Sequence, residues 1–404
     1  MFVLGGAQSD FSRHLSREGR EISDLVGELV DDALADAQLE ATDVGVIHVG
    51  NAFGQLFNRQ GQLGAMPATV RPALWGVPAA RHEAACASGS IAILAAMAEL
   101  AAGIYDVALV LGVEQERNVG GEEAAKHLAA AAWIGHEGQD ARYLWPHMFS
   151  RIGDAYAERW GLQQQHLTAI AAKNLGNARA NPNAQTRSWT IEREILASDG
   201  SDPRNAIVEG RLRRYDCAQV TDGGAAIVLA SPRFAEAWAA KRGRTTTPRI
   251  LGWGHRTAGL SLDSKLERSR GGGLLVPHVA EAIEDARRRA SRSLDAISAY
   301  EVHDCFTTTE YLAIDHLGLT PPGESWRAIE RGETERTGRR PINPSGGLIG
   351  GGHPVGATGV RMTLDAARQV ASRAGECQVD GATTVQTLNL GGSATTVVSF
   401  VVGT

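Results

Sequence analysis

The sequence predicts an α/β protein made of two similar halves, and three observations point to it. Strand-like apolar runs alternate with runs of helical spacing. The second half repeats this plan after an irregular stretch through 115–215. Two unusual segments, Cys86-Ala-Ser-Gly89 and His353-Pro-Val-Gly356, each lead into a Gly/Ala-containing helix and then a strand, as a duplicated unit would. A chain of 404 residues is too long for one small core and suits two halves of about 150 to 200 residues.

In order along the chain, 22–35 carries helical spacing, 44–49 reads as a buried strand, and 88–102 is an Ala-rich helix stopped by Gly103. Strands follow at 106–113 and 225–229. Between them the rhythm weakens among glycines, tryptophans and a basic helical segment at 163–180, and the Trp and Phe content favours an ordered lid or loop domain. A connector falls at 231–248, where Lys241, Arg242, Gly243 and Arg244 run into threonines. The halves are therefore 1–240, with a loop domain at about 115–215, and 241–404. In the second half, 279–290 reads as a helix, 299–303 as a short strand, 358–374 as a helix stopped by Gly375, and 383–388 and 395–402 as neighbouring strands around the turn 389–393.

Composition narrows the function. The apolar fraction of 43% and charged fraction of 21% are ordinary for a globular chain. A net charge of −6 argues against a nucleic-acid surface, although a few local arginines would suffice for an anionic ligand. Cys86, Cys217, Cys305 and Cys377 show no paired spacing, which suggests neither a metal site nor a disulfide framework and points to a reducing compartment. The first residues lack the pattern of a secretory leader, the Ala-rich 91–102 is too short to span a bilayer, and Val402-Gly403-Thr404 is no peroxisomal address. The expected location is the cytoplasm.

Cys86 opens a predicted helix, whose N–H groups and positive dipole end favour thiolate over thiol. A lone cysteine in an Ala-rich core is more often structural. Two distant histidine segments weigh against that reading: His303-Asp304-Cys305-Phe306, and His353 set among Gly350, Gly351, Gly352, Gly356 and Gly359. Glycines packed round one imidazole suit close backbone approach at a reaction centre better than a surface turn. Strand alternation puts His303 and Cys305 on one face, with Asp304 opposite.

With the Asn389-Leu390-Gly391-Gly392 turn, these segments resemble, in order and context, the thiolase superfamily, and most of all its sterol carrier protein type branch. The likeness covers nearly the whole chain. It implies two halves stacked as a five-layer α-β-α-β-α body with an inserted loop domain, and acyl transfer through a thioester on Cys86, with CoA and acyl-CoA as substrates and no permanently bound cofactor. It further implies that His353 takes the Cys86 proton and, with His303, forms an oxyanion hole. Cys305 would be the second acid/base sulfur, because Asn389 stands where other branches carry that cysteine. The backbone N–H groups of Cys86 and Gly391 would form a second oxyanion hole. Candidate substrate and CoA contacts are His147, Met148, Lys173, Arg179 and Arg187, each weighed against a packing or solvated role. Arg270-Gly271-Gly272-Gly273 is a weak phosphate-loop candidate. Expected partners are a second copy of the chain, paired through a strand at 78–85, and a small acyl-CoA-binding protein. The rival readings are a decarboxylating ketoacyl synthase, with a Cys-His-His set, and a non-catalytic acyl-CoA-binding or scaffold subunit.

Overall fold

A computed structural model describes residues 1–243 and 246–404. Eleven strands follow in chain order: β1 (Phe2–Gln8), β2 (Val46–Gly50), β3 (Ala79–His82), β4 (Val107–Glu114), β5 (Ile207–Glu209), β6 (Leu212–Arg213), β7 (Gly223–Ala230), β8 (Arg249–Thr257), β9 (Ala299–Val302), β10 (Thr384–Gly391) and β11 (Thr396–Gly403). The helices that position the site are α1 (Ile22–Ala37), α2 (Ser88–Ala101), α3 (Gly121–Ala129), α4 (Leu144–Trp160), α5 (Gln164–Ala178), α6 (Pro232–Lys241), α7 (Leu262–Arg268), α8 (His278–Ala290), α9 (Thr307–His316), α10 (Gly347–Gly351) and α11 (Thr358–Val370).

Nine strands run in the order β3-β2-β4-β7-β1-β8-β11-β10-β9. The duplication is visible in the pairing. In the first half β2 lies parallel to β4, which pairs antiparallel with β7, which pairs antiparallel with β1. In the second, β9 lies parallel to β10, β10 antiparallel to β11, and β11 antiparallel to β8. The two sheets meet at one residue pair, Phe2 with Arg249.

Three apolar clusters give the layers. Leu25, Leu29 and Val30 of α1 cover the outer face of the first sheet with Leu109 and Val228. Ile93 and Ala96 of α2 and Val360 and Leu364 of α11 fill the space between the sheets, against Val110 and Phe400. Val279, Ile283 and Ala286 of α8 cover the outer face of the second sheet and join the loop-domain residues Phe149 and Ile170. This is the α-β-α-β-α order. Burying about 25 cal/mol per Å² of apolar area on both faces of each sheet is what makes so Ala- and Val-rich a sequence fold this way.

The central helices approach closely because glycines line them. A Cβ on Gly50 would lie 2.5 Å from the Gly89 Cα, and one on Gly89 would lie 2.7 Å from the Gly356 carbonyl oxygen. These two glycines bring the start of α2 and the His353 segment together.

Most expected elements appear within a few residues of their bounds. The helix expected through 374 ends at Val370, with Ser372 in the left-handed region at φ 55°. The expected connector begins with α6, whose N-cap Ser231 accepts from the Phe234 N–H. Arg244 and Thr245 lie outside the described residues. Strands β1 and β8 were not expected. Glycines at 5, 6, 252 and 254 break their apolar pattern, and the α-carbons of Gly252 and Gly254 sit against the α8 backbone, where a Cβ would fall 2.2 and 1.8 Å from carbonyl oxygens.

Candidate active site

Cys86 follows β3, and Ala85 before it is held at φ 50°, so the chain turns sharply and delivers the thiol above the start of α2. Cys86, Cys305 and His353 line one cavity of about 410 Å³. One ligand atom each from Cys86, His303 and His353 lies within 4.8 Å of the others, and the two imidazoles meet edge to face at 5.1 Å between centroids. The β9 strand stops at Val302, so His303 and Cys305 stand just beyond it. Asp304 turns the other way. Its carboxylate is buried, accepting from Asn174 Nδ2 at 2.7 Å and from the Leu348 and Ile349 N–H groups of α10.

Hydrogen bonds assign the two imidazoles opposite roles. The Thr358 hydroxyl donates to the Pro354 carbonyl at 3.1 Å, so its oxygen accepts from His353 Nδ1–H at 2.7 Å. That leaves His353 Nε2 with a free lone pair, the form of a general base. The Asn389 amide has its oxygen engaged by the Ser90 hydroxyl at 2.7 Å, and its Nδ2 donates to the Cys86 carbonyl and to His303 Nδ1, both at 3.1 Å. His303 therefore carries its proton on Nε2, the form of a hydrogen-bond donor. Thiol and imidazole are zinc-type ligands, yet this tautomer of His303 offers the cluster a proton rather than a lone pair.

Electrostatics overturn one expectation. Burial, reinforced by the Glu116 and Glu114 carboxyls, pushes the Cys86 thiol up to about 12, so the sulfur rests as a thiol despite the helix behind it. Helix α2 begins only at Ser88, and the N–H that favours the thiolate most is that of Gly392. Desolvation, helped by Arg361, pushes His353 down to about 3, which keeps it neutral. Burial, the neighbouring His353 and Arg361 likewise hold His303 well below the usual imidazole range. Burial and the nearby Cys86 push the Cys305 thiol well up.

Gly391 ends β10 with its α-carbon against the Cys86 segment, where a Cβ would lie 2.2 Å from the Ala84 carbonyl oxygen. Its neighbour Gly392 is the residue that lines the cavity.

The remaining expected contacts fall outside the cavity. Lys173 is buried and bonded to Glu310 and to the Ile342 carbonyl, so it pins α5 to α9. Arg187 is spent on a two-pronged pair with Asp10 at 2.6 and 2.7 Å. Arg179 is exposed at the end of α5, and Met148 is fully buried in the core of the second half. His147 is half-buried, but the cavity is faced instead by its α4 neighbours Trp145, Pro146 and Phe149. A lid residue cannot be separated from its neighbours by a sequence that shows no helical phase there. Among the cavity residues that the sequence reading missed are Glu116, Cys217, the exposed Arg214 and the apolar Phe53. It also missed the linking role of Asn389. An amide side chain between Leu388 and Leu390, just before the paired glycines, was the available signal.

The chain matches two known domain families. The thiolase N-terminal domain matches residues 1–233, and the thiolase C-terminal domain-like family matches 264–404. The chain is 30% identical over 396 residues to the acetyl-CoA acetyltransferase of Methanothermobacter thermautotrophicus, covering 98% of this chain and 97% of that one. It is 29% identical over 420 residues to human sterol carrier protein 2, covering all of this chain and 72% of that one. The solved structure of the Ltp2-ChsH2(DUF35) aldolase superposes with a TM-score of 0.79 at 22% identity, over 100% of this chain and 97% of that one, a likeness of fold. The duplicated halves, the cysteine above the central helix and the two family matches lead to one conclusion: the chain belongs to the thiolase family.

Proposed function

We propose that the protein is an acyltransferase that cleaves 3-ketoacyl-CoA with CoA, or runs the reverse condensation, through an acyl group carried on Cys86. The observation that carries this reading is the pairing, in one cavity, of a resting thiol with an imidazole whose free nitrogen is a base. His353 Nε2 takes the Cys86 proton as substrate enters. The sulfur attacks the 3-keto carbon, whose developing oxyanion is met by backbone N–H groups of the Cys86 and Gly391–Gly392 segments. The bond between C2 and C3 then breaks. The electron pair left on C2, delocalised onto a thioester oxygen that His303 Nε2–H and the now protonated His353 stabilise, takes a proton from the Cys305 thiol. A thiol held strongly protonated by burial suits that donation. The C1–C2 fragment leaves as acetyl-CoA, the thiol of a second CoA gives its proton to the Cys305 thiolate, and the CoA sulfur displaces the shortened acyl group from Cys86, whose sulfur recovers the proton held by His353.

The walls fit this chemistry: Phe53, Leu128, Phe149 and Phe306 are apolar, and Arg214 is the cation on the lining. Its exposed position suits the phosphates of CoA, in place of the buried Lys173. The site needs no further cofactor for these steps. A homodimer is proposed on strand β3, which pairs with β2 and ends the sheet. Pairing with its symmetry mate would cover that edge and brace the Cys86 turn. Human sterol carrier protein 2 and the aldolase complex keep a small carrier or accessory protein as a candidate partner.

Mass spectrometry tests the assignment. Incubation with a 3-ketoacyl-CoA should add one acyl mass to the peptide containing Cys86, and Cys86→Ser should lose adduct and turnover together. An adduct on Cys305 or Cys217 overturns it. The Cys-His-His set also fits decarboxylating condensation, and consumption of malonyl-CoA without a ketoacyl substrate would favour that second reading.

A further inference from the structure

Three carboxyl groups lie buried behind Cys86, and one of them is far less satisfied than the others. Asp222 accepts from the N–H groups of Leu15, Glu116 and Arg117 at 2.8 to 3.0 Å. Glu114 accepts from the N–H groups of Ala52 and Phe53 and from Asn51 Nδ2. Glu116, 1% exposed, accepts from Val355 N–H at 3.4 Å and is reached by the backbone of Thr221. It is also the only one of the three that lines the reactive cavity.

Among the described residues no arginine bonds it. Arg117 turns its guanidinium to the carbonyls of Ser12 and Arg13, and Arg81 bonds the carbonyls of Asn51 and Ala52. The charged groups that act on Glu116 most strongly are the carboxyls of Glu114 and Asp222, which together with burial favour its protonated form. Phe53 and Val355 flank this part of the wall. A neutral carboxyl among them has an O–H to donate, and an alkyl chain gives it no acceptor.

We propose that Glu116 is a specificity-determining residue, donating a hydrogen bond to an oxygen carried on the acyl chain, so that the protein prefers oxygen-substituted acyl groups to plain alkyl chains. This rests on the acyl-Cys86 reading above. A site built to hydrogen-bond a substrate oxygen rejects the analogue lacking it, because the buried donor is then left unpaired.

Thiolysis of a matched pair, 5-hydroxy-3-oxohexanoyl-CoA and 3-oxohexanoyl-CoA, reads the preference as a ratio of kcat/KM. Wild type should favour the hydroxylated substrate by at least about tenfold. Glu116→Leu should reduce that ratio by about tenfold or more. Glu116→Gln, whose amide still donates, should keep it within about threefold. A wild-type ratio near one overturns the proposal whether or not either variant folds, and so does an unchanged ratio in Glu116→Leu. A Glu116→Gln variant that behaves like Glu116→Leu also overturns it, since a retained donor would then not suffice. The acyl mass on Cys86 is read in the same samples. Its absence from wild type would indict the underlying assignment rather than Glu116.

Discussion

Cys86 is half-exposed by surface because it opens into the cavity, yet protein surrounds it closely enough to hold the sulfur as a thiol. Its reactivity without substrate should therefore be low and should climb with pH. Alkylation by iodoacetamide is expected to keep accelerating through pH 10, where an ordinary thiol of pKa about 8.5 has levelled off. A plateau near pH 7 would reveal a resting thiolate paired with imidazolium. Thr358 offers a second test, since its oxygen fixes the proton of His353 on Nδ1. Thr358→Val should slow Cys86 acylation by about 10- to 100-fold while Thr358→Ser restores it. Cys305→Ala should still form the acyl-enzyme from a simple acyl-CoA and lose C–C cleavage by at least about 100-fold. Near-normal thiolysis in that variant would assign the proton to another group.

The β10–β11 turn shows how an element serves the site. Lys265 of α7, buried and without a carboxylate at hydrogen-bond distance, gives its three N–H bonds to the Leu260 carbonyl and the Ser393 and Thr395 hydroxyls at 2.8 to 3.0 Å. His278 Nε2 donates to the Ala394 carbonyl at 2.8 Å. Together they hold Gly392 beside the sulfur. Lys265→Met should loosen the turn, lowering kcat more than it raises KM and by about tenfold or more, measured alongside the thermal midpoint to separate folding from positioning. The sequence made this turn legible as a turn, because Asn389-Leu390-Gly391-Gly392 breaks two β-rich runs. It could not show Lys265, which arrives from more than a hundred residues away. The same division holds elsewhere. Helices and strands with clear periodicity, such as α1, α2 and β4, were readable, and the cysteine and histidines set among glycines are the ones the fold brings together. The strands β1 and β8 were hidden by the glycines that let helices press on them. Lys173 and Arg187 were misjudged because a charged residue's partner across the fold leaves no local trace.

Across the whole molecule, buried ionisable groups set a pH response. His353, neutral in the fold down to about 3 and near 6.5 when unfolded, contributes stability that is complete above pH 6.5 and is lost as pH falls toward 3. Asp304, pushed up to about 7 chiefly by burial and Glu310, acts in the opposite sense: its contribution is present below about pH 4 and is lost as pH rises through 7. His353→Gln should thus gain on wild type in stability as pH drops from 6.5 to 4, by up to about 1.4 kcal/mol per pH unit, read as a rise in its thermal midpoint relative to wild type. Parallel midpoints across that range would show that protonation of His353 is not resisted by the fold. Light scattering over a dilution series should give twice the 42.8 kDa chain mass, and a fully active monomer would remove the proposed pairing through β3.

The proposed chemistry is divided between the halves: Cys86 comes from the first, and His303, Cys305, His353 and Asn389 from the second. Their sheets touch at one residue pair, while α2 and α11 pack together in an apolar layer. Covalent continuity between the halves is therefore dispensable in principle, and the molecule should behave as a natural two-fragment system. Chains ending at Gly243 and beginning at Pro248, produced together in one cell, should reassemble through that layer and recover turnover, whereas each fragment alone should be inert. Fragments that copurify yet stay inactive would mean that the peptide link, and not packing alone, sets the register between nucleophile and base.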